Sequence, residues 1–286
     1  MGASPIRWSK RPEMRAWMRI LNPAVEARVG KTRHALFDFD GTISLLRAGW
    51  EEVMIPLMLE MISPGRPPAA ELEAEVRAYV DHSTGILTIR QMEWLAEAVA
   101  RHGLNTQPLS AAQYKAIYRA RLLERIRARV EAVAAGRTPP DEQMVAGARS
   151  FLAALAGAGV RLYLASGTDH ADVLREAEIL GVAGCFEGRI YGALDASEAH
   201  DKEQVVRRIL AENHLRGDEL VVFGDGPVEM RVAVEAGALA VGVASDEVKR
   251  AGWNEVKAAR LQRAGADALI ADFEHGEELS EWLAGG

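Results

Sequence analysis

The chain has 286 residues, 49% of them hydrophobic, and a formal net charge of -7 at pH 7. This is the composition of an ordinary soluble protein, and the negative charge gives no general attraction to nucleic acid or to an anionic membrane. The single cysteine, Cys185, excludes an intramolecular disulfide framework and agrees with a reducing compartment. We therefore expect a cytoplasmic protein with no nucleic-acid or membrane partner.

Residues 1–33 form an N-terminal extension in which prolines interrupt the apolar residues. Pro5, Pro12 and Pro23, together with charged residues, leave no continuous apolar segment. The pattern allows an amphipathic turn or two between residues 15 and 29. We expect the extension to pack against the outside of the domain.

A short apolar strand, His-Ala-Leu-Phe, leads into two aspartates and a glycine turn at residues 38–42. Side chains at i and i+2 of an extended segment project from the same side, so Asp38 and Asp40 should lie side by side. Such a pair either keeps a proton at neutral pH or holds a cation. In open α/β sheets, ligands bind at this end of the strands. A simple turn would explain Asp40 and Gly41 but not Asp38.

Helical patterns dominate the next part of the chain. One helix is enough for a right-handed crossover, so an insertion of roughly a hundred residues indicates a separate domain. Apolar residues at helical spacing after Trp50 and after Met92 are typical of the core faces of a helical bundle. We place this helical cap domain at residues 47–140 and the core at residues 34–46 and 141–286.

Four later apolar runs have the length and flanking residues of buried parallel strands. They are residues 160–165, 220–223, 239–243 and 268–270. Helical patterns separate them at residues 171–180, 204–213 and 229–236. Repeated βα units predict an α/β fold, a Rossmann-like doubly wound parallel sheet with the α-helical cap domain inserted.

Three of these segments also carry polar groups at strand ends or helix starts. Ser166 and Gly167 offer a hydroxyl and backbone N–H groups for a phosphate oxygen, although such residues also cap helices. Lys202 follows Asp201, which forms a predicted capping box with Gln204. A cation in a first helical turn opposes the helix dipole by roughly 0.3–1 kcal/mol, so Lys202 is either a solvated lysine or the partner of an anion.

The strand at residues 220–223 leads into Gly-Asp-Gly-Pro-Val-Glu. Asp225 lies between two glycines, which leave it open to a ligand, and Glu229 follows one helical turn later. This is a reasonable arrangement for a hard cation. Glu229 alone would also suit a helix start, where the dipole favours an acid.

Together these elements resemble the four motifs of the haloacid dehalogenase-like (HAD) hydrolase superfamily, in the same order. DFDGT at residues 38–42 matches the first motif, Ser166 the second, Lys202 the third and GDGPVE at residues 224–229 the fourth. The resemblance covers about residues 34–275. The helical insertion looks like the large cap of the phosphoglycolate phosphatase-like and β-phosphoglucomutase-like branches.

The resemblance implies a role for each motif residue. Asp38 would attack phosphorus and form an aspartyl-phosphate, and Asp40 would act as general acid and then general base. Ser166, Gly167 and Lys202 would bind the phosphate oxygens. The acid at Asp40 argues against the dehalogenase branch, which lacks one there.

The resemblance also implies a Mg²⁺ site. The Asp38 carboxylate, the Asp40 main-chain carbonyl and Asp225 would hold the metal, and Glu229 would fix Asp225 or a metal-bound water. Phosphoryl transfer depends mainly on the positioning of the reacting groups and on charge stabilisation, and a metal ion at this point would supply both.

The cap is expected to select the substrate and to move on hinges at residues 44–49 and 136–140. Residues 82–85, His-Ser-Thr-Gly, look like the substrate-specificity loop of related caps, although they also suit a plain interhelical turn. Thr84 and Arg90 are the candidate substrate contacts. Arg47 follows the first motif and either faces the substrate or starts a helix.

The sequence thus predicts a magnesium-dependent phosphatase for a small phosphorylated metabolite, with a sugar phosphate favoured. Two alternatives stay open. A phosphomutase of the β-phosphoglucomutase type shares the first chemical step but passes the phosphoryl group to a sugar hydroxyl. A catalytically silent binding module would keep the fold without the reaction. The sequence predicts neither the substrate nor the oligomeric state.

Overall fold

The computed structural model describes residues 16–194 and 202–285. Within these residues the strands are β1 (Met18–Ile20), β2 (His34–Phe37), β3 (Arg161–Asp169), β4 (Ile190–Ala193), β5 (Leu220–Gly224), β6 (Leu239–Val243) and β7 (Ala268–Ile270). They form one sheet in the order β1-β7-β6-β5-β2-β3-β4. The strands β2 to β7 pair in parallel, and β1 is antiparallel to β7.

The helices divide between the cap and the core. They are α1 (Glu51–Ile62), α2 (Ala70–His82), α3 (Thr88–His102), α4 (Ala111–Ala134), α5 (Ala148–Gly157), α6 (His170–Ile179), α7 (Lys202–Glu212), α8 (Pro227–Glu235), α9 (Glu255–Arg263) and α10 (Gly276–Leu283). The insertion between β2 and β3 contains α1 to α4, as the cap prediction requires. Helix α4 begins with a capping box formed by Ser110 and Gln113. None of the described helices is long and apolar enough to span a membrane.

The central strands are buried because helices cover both faces of the sheet, which explains their continuous apolar sequences. Phe37 of β2 stacks on Phe223 of β5 with ring centroids 4.7 Å apart, and Phe151 of α5 meets Phe223 edge-on at 5.5 Å. Phe37 pairs in register with Phe223 on one side and with Leu164 on the other. The segments that follow β2 and β5 therefore leave the sheet at nearly the same level, where β3 continues past Leu164.

The predicted fold class is confirmed, but three details of the sheet were not predicted. Strand β4 was not among the predicted apolar runs. Strand β1 lies within the proline-rich extension and pairs with the edge strand β7, so part of the extension packs on the outside of the core as expected. Strand β3 continues to Asp169, beyond the predicted end at Ala165, with a shift in register against β4 between these residues. The predicted capping residue Asp201 lies outside the described residues.

His34, the first residue of β2, is a buried histidine whose neutral form the fold favours. Its Nδ1 lies 3.0 Å from the hydroxyl of Tyr163. Burial lowers the pKa of His34 from 6.5 to about 4, with a further lowering by Arg161. The unfolded chain therefore takes up this proton at a higher pH than the native protein does.

From that shift we expect the free energy of unfolding to fall as the pH decreases from about 6.5 towards 4. Replacing His34 with glutamine should make this fall shallower, because glutamine does not titrate. Urea titrations of both proteins across this range measure the effect. Equal slopes for parent and variant would show that His34 does not contribute to the pH dependence.

Candidate active site

The polar groups expected at the strand ends surround one cavity. Asp38 follows β2, Ser166 lies in β3 and Asp225 follows β5, and the in-register pairing of these strands brings them together. All three line a cavity of about 680 Å³, part of it open to solvent, which residues of the cap close from the opposite side. The site therefore lies between the core and the cap.

Lys202 joins two carboxylates at the base of this site. Its Nζ donates to Asp38 Oδ1 at 2.5 Å and also contacts Glu229 Oε1. All three side chains are buried. Burial disfavours the charged lysine, but the two carboxylates outweigh burial and raise the pKa of Lys202 above its ordinary value. Lys202 is therefore a buried cation with two partners rather than a solvated surface lysine.

Asp38 experiences opposing influences from its neighbours. Burial raises its pKa well above the ordinary value, the Lys202 ammonium lowers it, and the carboxylates of Glu229 and Asp225 raise it further. Its Oδ2 also accepts a hydrogen bond from the Thr42 hydroxyl at 3.3 Å. Added positive charge in this site would favour the ionised carboxylate.

Asp40 lines the same cavity as Asp38, but it faces different partners. Its Oδ2 accepts hydrogen bonds from the hydroxyls of Ser166 at 3.2 Å and Thr168 at 3.0 Å. Its Oδ1 is buried, lies 3.8 Å from Arg47 Nε, and has no hydrogen-bond partner in the described part of the chain. Two hydroxyls and a guanidinium thus orient this carboxylate.

Arg47 is buried beside Asp40 and is held by helix α6. Its Nη2 donates to Glu176 Oε1 at 2.6 Å and lies 3.5 Å from Asp172 Oδ2. Burial opposes the guanidinium charge, but Glu176 and Asp40 outweigh burial and raise the pKa of Arg47 above its ordinary value. Arg47 therefore joins the segment that enters the cap to the core.

Asp225 is held by a second buried lysine that the sequence motifs did not indicate. Lys257 Nζ, from α9, lies 2.9 Å from Asp225 Oδ2 and 2.8 Å from Glu247 Oε1. Gly41, at φ 81°, brings the turn after Asp40 so close to Asp225 that a Cβ there would lie 2.3 Å from Oδ2. Only glycine fits this approach.

The charges and donor atoms suit a hard divalent cation. Five carboxylates and three cations lie in or beside the cavity, so negative charge is in excess. The carboxylates are Asp38, Asp40, Asp225, Glu229 and Glu247, and the cations are Lys202, Lys257 and Arg47. Glu229 Oε2 is buried without a hydrogen-bond partner among the described residues. All these donors are oxygens, which Mg²⁺ prefers. As they stand, no three acidic, histidine or cysteine side chains of the described residues have the geometry of a metal site.

The cap contributes mainly neutral side chains to the cavity. They are Trp50, Thr84, Ile86, Thr88, Gln91, Tyr118 and Leu122. The Thr84 hydroxyl donates to the carbonyls of Val80 and Asp81, both at 3.2 Å. Of the two candidate substrate contacts, Thr84 lines the cavity, whereas Arg90 lies outside it, is mostly exposed and pairs with Glu93.

Gly167 allows the cap to lie directly against the core. A Cβ at this position would lie 2.4 Å from the carbonyl oxygen of Ile86, and the Thr88 hydroxyl donates to the Gly167 carbonyl at 3.4 Å. A backbone atom cannot move aside as a flexible side chain can.

We therefore expect Gly167→Ala to exclude the cap from this position and to lower kcat at least about tenfold. Circular dichroism should show a folded protein, because the clash lies between two domains. A suitable control is Gly184→Ala, since that glycine has open space around it and no positive φ. Unchanged kcat in Gly167→Ala would mean that turnover does not require this contact between cap and core.

The family of this chain follows from comparing its sequence with models of known protein families. A family model for haloacid dehalogenase-like hydrolases matches residues 32–237, more than half of the chain. The chain belongs to this family. The match includes all four motifs, from Asp38 to Glu229. No curated protein shows significant sequence similarity to the chain.

Solved structures with the same fold cover nearly the whole chain. A predicted phosphoglycolate phosphatase from Haemophilus somnus 129pt is 13% identical, with a TM-score of 0.59, over 87% of this chain and 98% of its own. A predicted phosphatase from Clostridium acetobutylicum is 18% identical, with a TM-score of 0.56, over 87% and 99%. The β-phosphoglucomutase from Clostridium difficile is 12% identical, with a TM-score of 0.55, over 88% and 97%. At these identities the likeness concerns the fold.

Proposed function

We propose that this hydrolase is a Mg²⁺-dependent phosphatase that acts on a small phosphorylated metabolite through an aspartyl-phosphate on Asp38. The main support is structural. Four side chains line one cavity beside the buried Lys202, namely Asp38, Asp40, Ser166 and Asp225. Together these residues provide a nucleophile, a general acid and base, and a cation that can bind a phosphate ester. The fold shared with the predicted phosphatases supports the same class of reaction.

In the first step, an oxygen of Asp38 attacks phosphorus, and the bond between phosphorus and the leaving oxygen breaks. Lys202 Nζ holds the other carboxylate oxygen, Oδ1, at 2.5 Å, which orients Oδ2 for the attack. Asp40 gives its proton to the leaving oxygen. The Thr168 hydroxyl fixes Asp40 Oδ2 during this transfer, while the Ser166 hydroxyl turns from Asp40 to the phosphate of the bound ester.

In the second step, Asp40 takes a proton from water, the water oxygen bonds to phosphorus, and the acyl-phosphate bond breaks to restore Asp38. The Ser166 hydroxyl, the Gly167 N–H and the Lys202 ammonium are the proposed donors to the phosphate oxygens. A general acid–base at this point typically contributes 10²- to 10⁴-fold to the rate.

Three groups would hold Mg²⁺: the carboxylates of Asp38 and Asp225 and the main-chain carbonyl of Asp40. Glu229 would fix a metal-bound water through Oε2, which has no hydrogen-bond partner among the described residues. The negative excess around the cavity would otherwise repel a phosphate ester, which supports this assignment. When bound, Mg²⁺ would neutralise these carboxylates and the developing charge on the phosphate. The proposed contact for the leaving group is the side of the cap that faces the cavity, including Thr84. Neutral polar and aromatic side chains predominate on this side, which favours a sugar phosphate as the substrate.

A β-phosphoglucomutase type of reaction is the second candidate, because three structural neighbours carry that name, two of them as putative enzymes. Incubation with sugar phosphates, phosphoglycolate and nucleotides, with both free phosphate and residual ester measured, separates the two. We expect one phosphate released for each ester consumed, in a reaction that stops with chelator and resumes with Mg²⁺. Isomerised sugar phosphate without free phosphate would establish the mutase, and full activity in excess chelator would contradict the metal assignment.

A further inference from the structure

Helix α9 carries two cations, one turn apart, that reach the loop containing Asp225. Lys257 Nζ binds the side chain of Asp225, and Arg260 Nη2 donates to the main-chain carbonyl of Asp225 at 3.2 Å. Residues three apart on a helix lie on the same face, so both side chains approach this loop together. The helix lies outside the motifs from which the proposed mechanism is built.

The other side of the Arg260 guanidinium reaches the cap. Its Nη1 donates to Asp81 Oδ1 at 2.8 Å, in the last turn of α2, and lies 3.4 Å from Thr84 Oγ1. The Arg260 side chain is 15% exposed and that of Asp81 is 53% exposed, so the guanidinium is largely covered while water reaches the carboxylate. One guanidinium thus bridges the cap turn and the Asp225 carbonyl.

The same cap turn lies against the Asp225 loop at two more points. A Cβ at Gly85 would lie 2.7 Å from Glu229 Oε1, and a Cβ at Gly226 would lie 3.0 Å from the Thr84 carbonyl oxygen. The position of this turn and the conformation of the loop from Asp225 to Glu229 are therefore linked by packing as well as by Arg260.

A different set of ion pairs also joins cap and core, but at a distance from this loop. Arg119 of α4 forms a bidentate pair with Asp172 of α6, with distances of 2.8 and 2.7 Å, and Lys115 contacts Asp169. These pairs hold the cap without touching Asp225. They supply a matched comparison, since an arginine binds an aspartate across the same two domains in both places.

We propose that Arg260 is a positioning residue that couples docking of the cap turn to the metal affinity of the Asp225 loop. With the cap docked, Asp81 and Thr84 fix the guanidinium, which in turn holds the Asp225 carbonyl. Without these cap contacts, Arg260 has fewer partners and holds the loop less firmly. Such coupling is reciprocal, so binding of a divalent cation also favours the docked cap. This inference rests on the proposed function because it takes Asp225 as a metal ligand.

The test is calorimetric titration of Mg²⁺ into the full-length protein without substrate. Asp81→Ala removes the acceptor for Arg260 at an exposed cap residue that does not touch Asp225, and we expect it to raise the Kd for Mg²⁺ about fivefold or more. Arg260→Met should raise the Kd at least as much. The double variant should be no worse than Arg260→Met, because both changes remove the same connection.

Arg119→Met is the matched control, and its Kd should stay within about twofold of the parent, as expected for an independent site. Circular dichroism of each variant verifies the fold, and Asp81→Ala keeps the test valid if Arg260→Met does not fold. A parental Kd in Asp81→Ala, or equal losses in Asp81→Ala and Arg119→Met, would overturn the coupling alone. No Mg²⁺ binding by the parent would overturn the coupling together with the metal assignment of the proposed function.

Discussion

Replacing Asp38 with asparagine is expected to lower kcat at least about 10³-fold while leaving the protein folded. Asparagine has nearly the same volume as aspartate, but its amide cannot act as the nucleophile or form an acyl-phosphate. Asp38 also pairs with the buried Lys202, so the variant removes one of the two negative charges that face that ammonium. Glu229 remains as its second partner and should keep the lysine charged and in place.

Steady-state phosphate release, with thermal unfolding recorded on the same samples, measures this effect. Glu124→Gln is the matched control, because it makes the same carboxylate-to-amide change at a residue that is 65% exposed. We expect the control to retain parental kcat. Turnover by Asp38→Asn within about tenfold of the parent would exclude Asp38 as the nucleophile.

Replacing Lys202 with methionine is expected to abolish turnover and to lower the free energy of unfolding by about 3–5 kcal/mol. The variant leaves the buried carboxylates of Asp38 and Glu229 without the cation that they share. A buried charge without a partner accounts for most of the cost when an ion pair is broken. Urea unfolding measures the stability, and phosphate release measures the turnover.

The double variant Lys202→Met, Glu229→Gln separates these two effects. The second change removes the negative charge of Glu229, which has lost its lysine partner, so the double variant should recover part of the lost stability. It should not recover turnover, because the cation that orients Asp38 is still absent. If Lys202→Met has parental stability, the ammonium is not a buried partner of both carboxylates; if the double variant regains turnover, Lys202 has no part in the reaction.

The sequence predicted the core and the strand ends well for a simple reason. Buried parallel strands have apolar runs that can be read directly, and parallel pairing places the residues after Phe37 and Phe223 at the same level. Asp38 and Asp225 therefore had to lie close together once the strands were identified. The short edge strand β1 escaped notice because its three residues pair only with β7 and lie among prolines.

The charged partners of the site could not be predicted in the same way. Arg47 was recognised only as a residue after the first motif, since its partner Glu176 lies 129 positions further along the chain. The sequence patterns did not indicate Lys257, and its role follows from its contact with Asp225, 32 positions away. Such pairings depend on how helices dock on the sheet, which local patterns do not specify.

The predicted substrate contacts show the same limit within the cap. Thr84 and Arg90 are six positions apart, but they lie on either side of the start of α3. The turn carries Thr84 into the cavity, whereas the helix directs Arg90 towards Glu93 and away from it. The direction of a side chain at a helix start depends on the docked position of the helix, so the sequence could not separate these two residues.

The most direct test of the proposed mechanism is mass spectrometry of the protein quenched with acid during turnover of a phosphate ester. We expect a peptide that carries one extra phosphoryl group on Asp38, which is absent before substrate is added and is lost when the ester is exhausted. The same peptide from Asp38→Asn should stay unmodified. Phosphate release without any phosphorylated residue, or a phosphoryl group on a residue other than Asp38, would exclude Asp38 as the residue that carries the covalent intermediate.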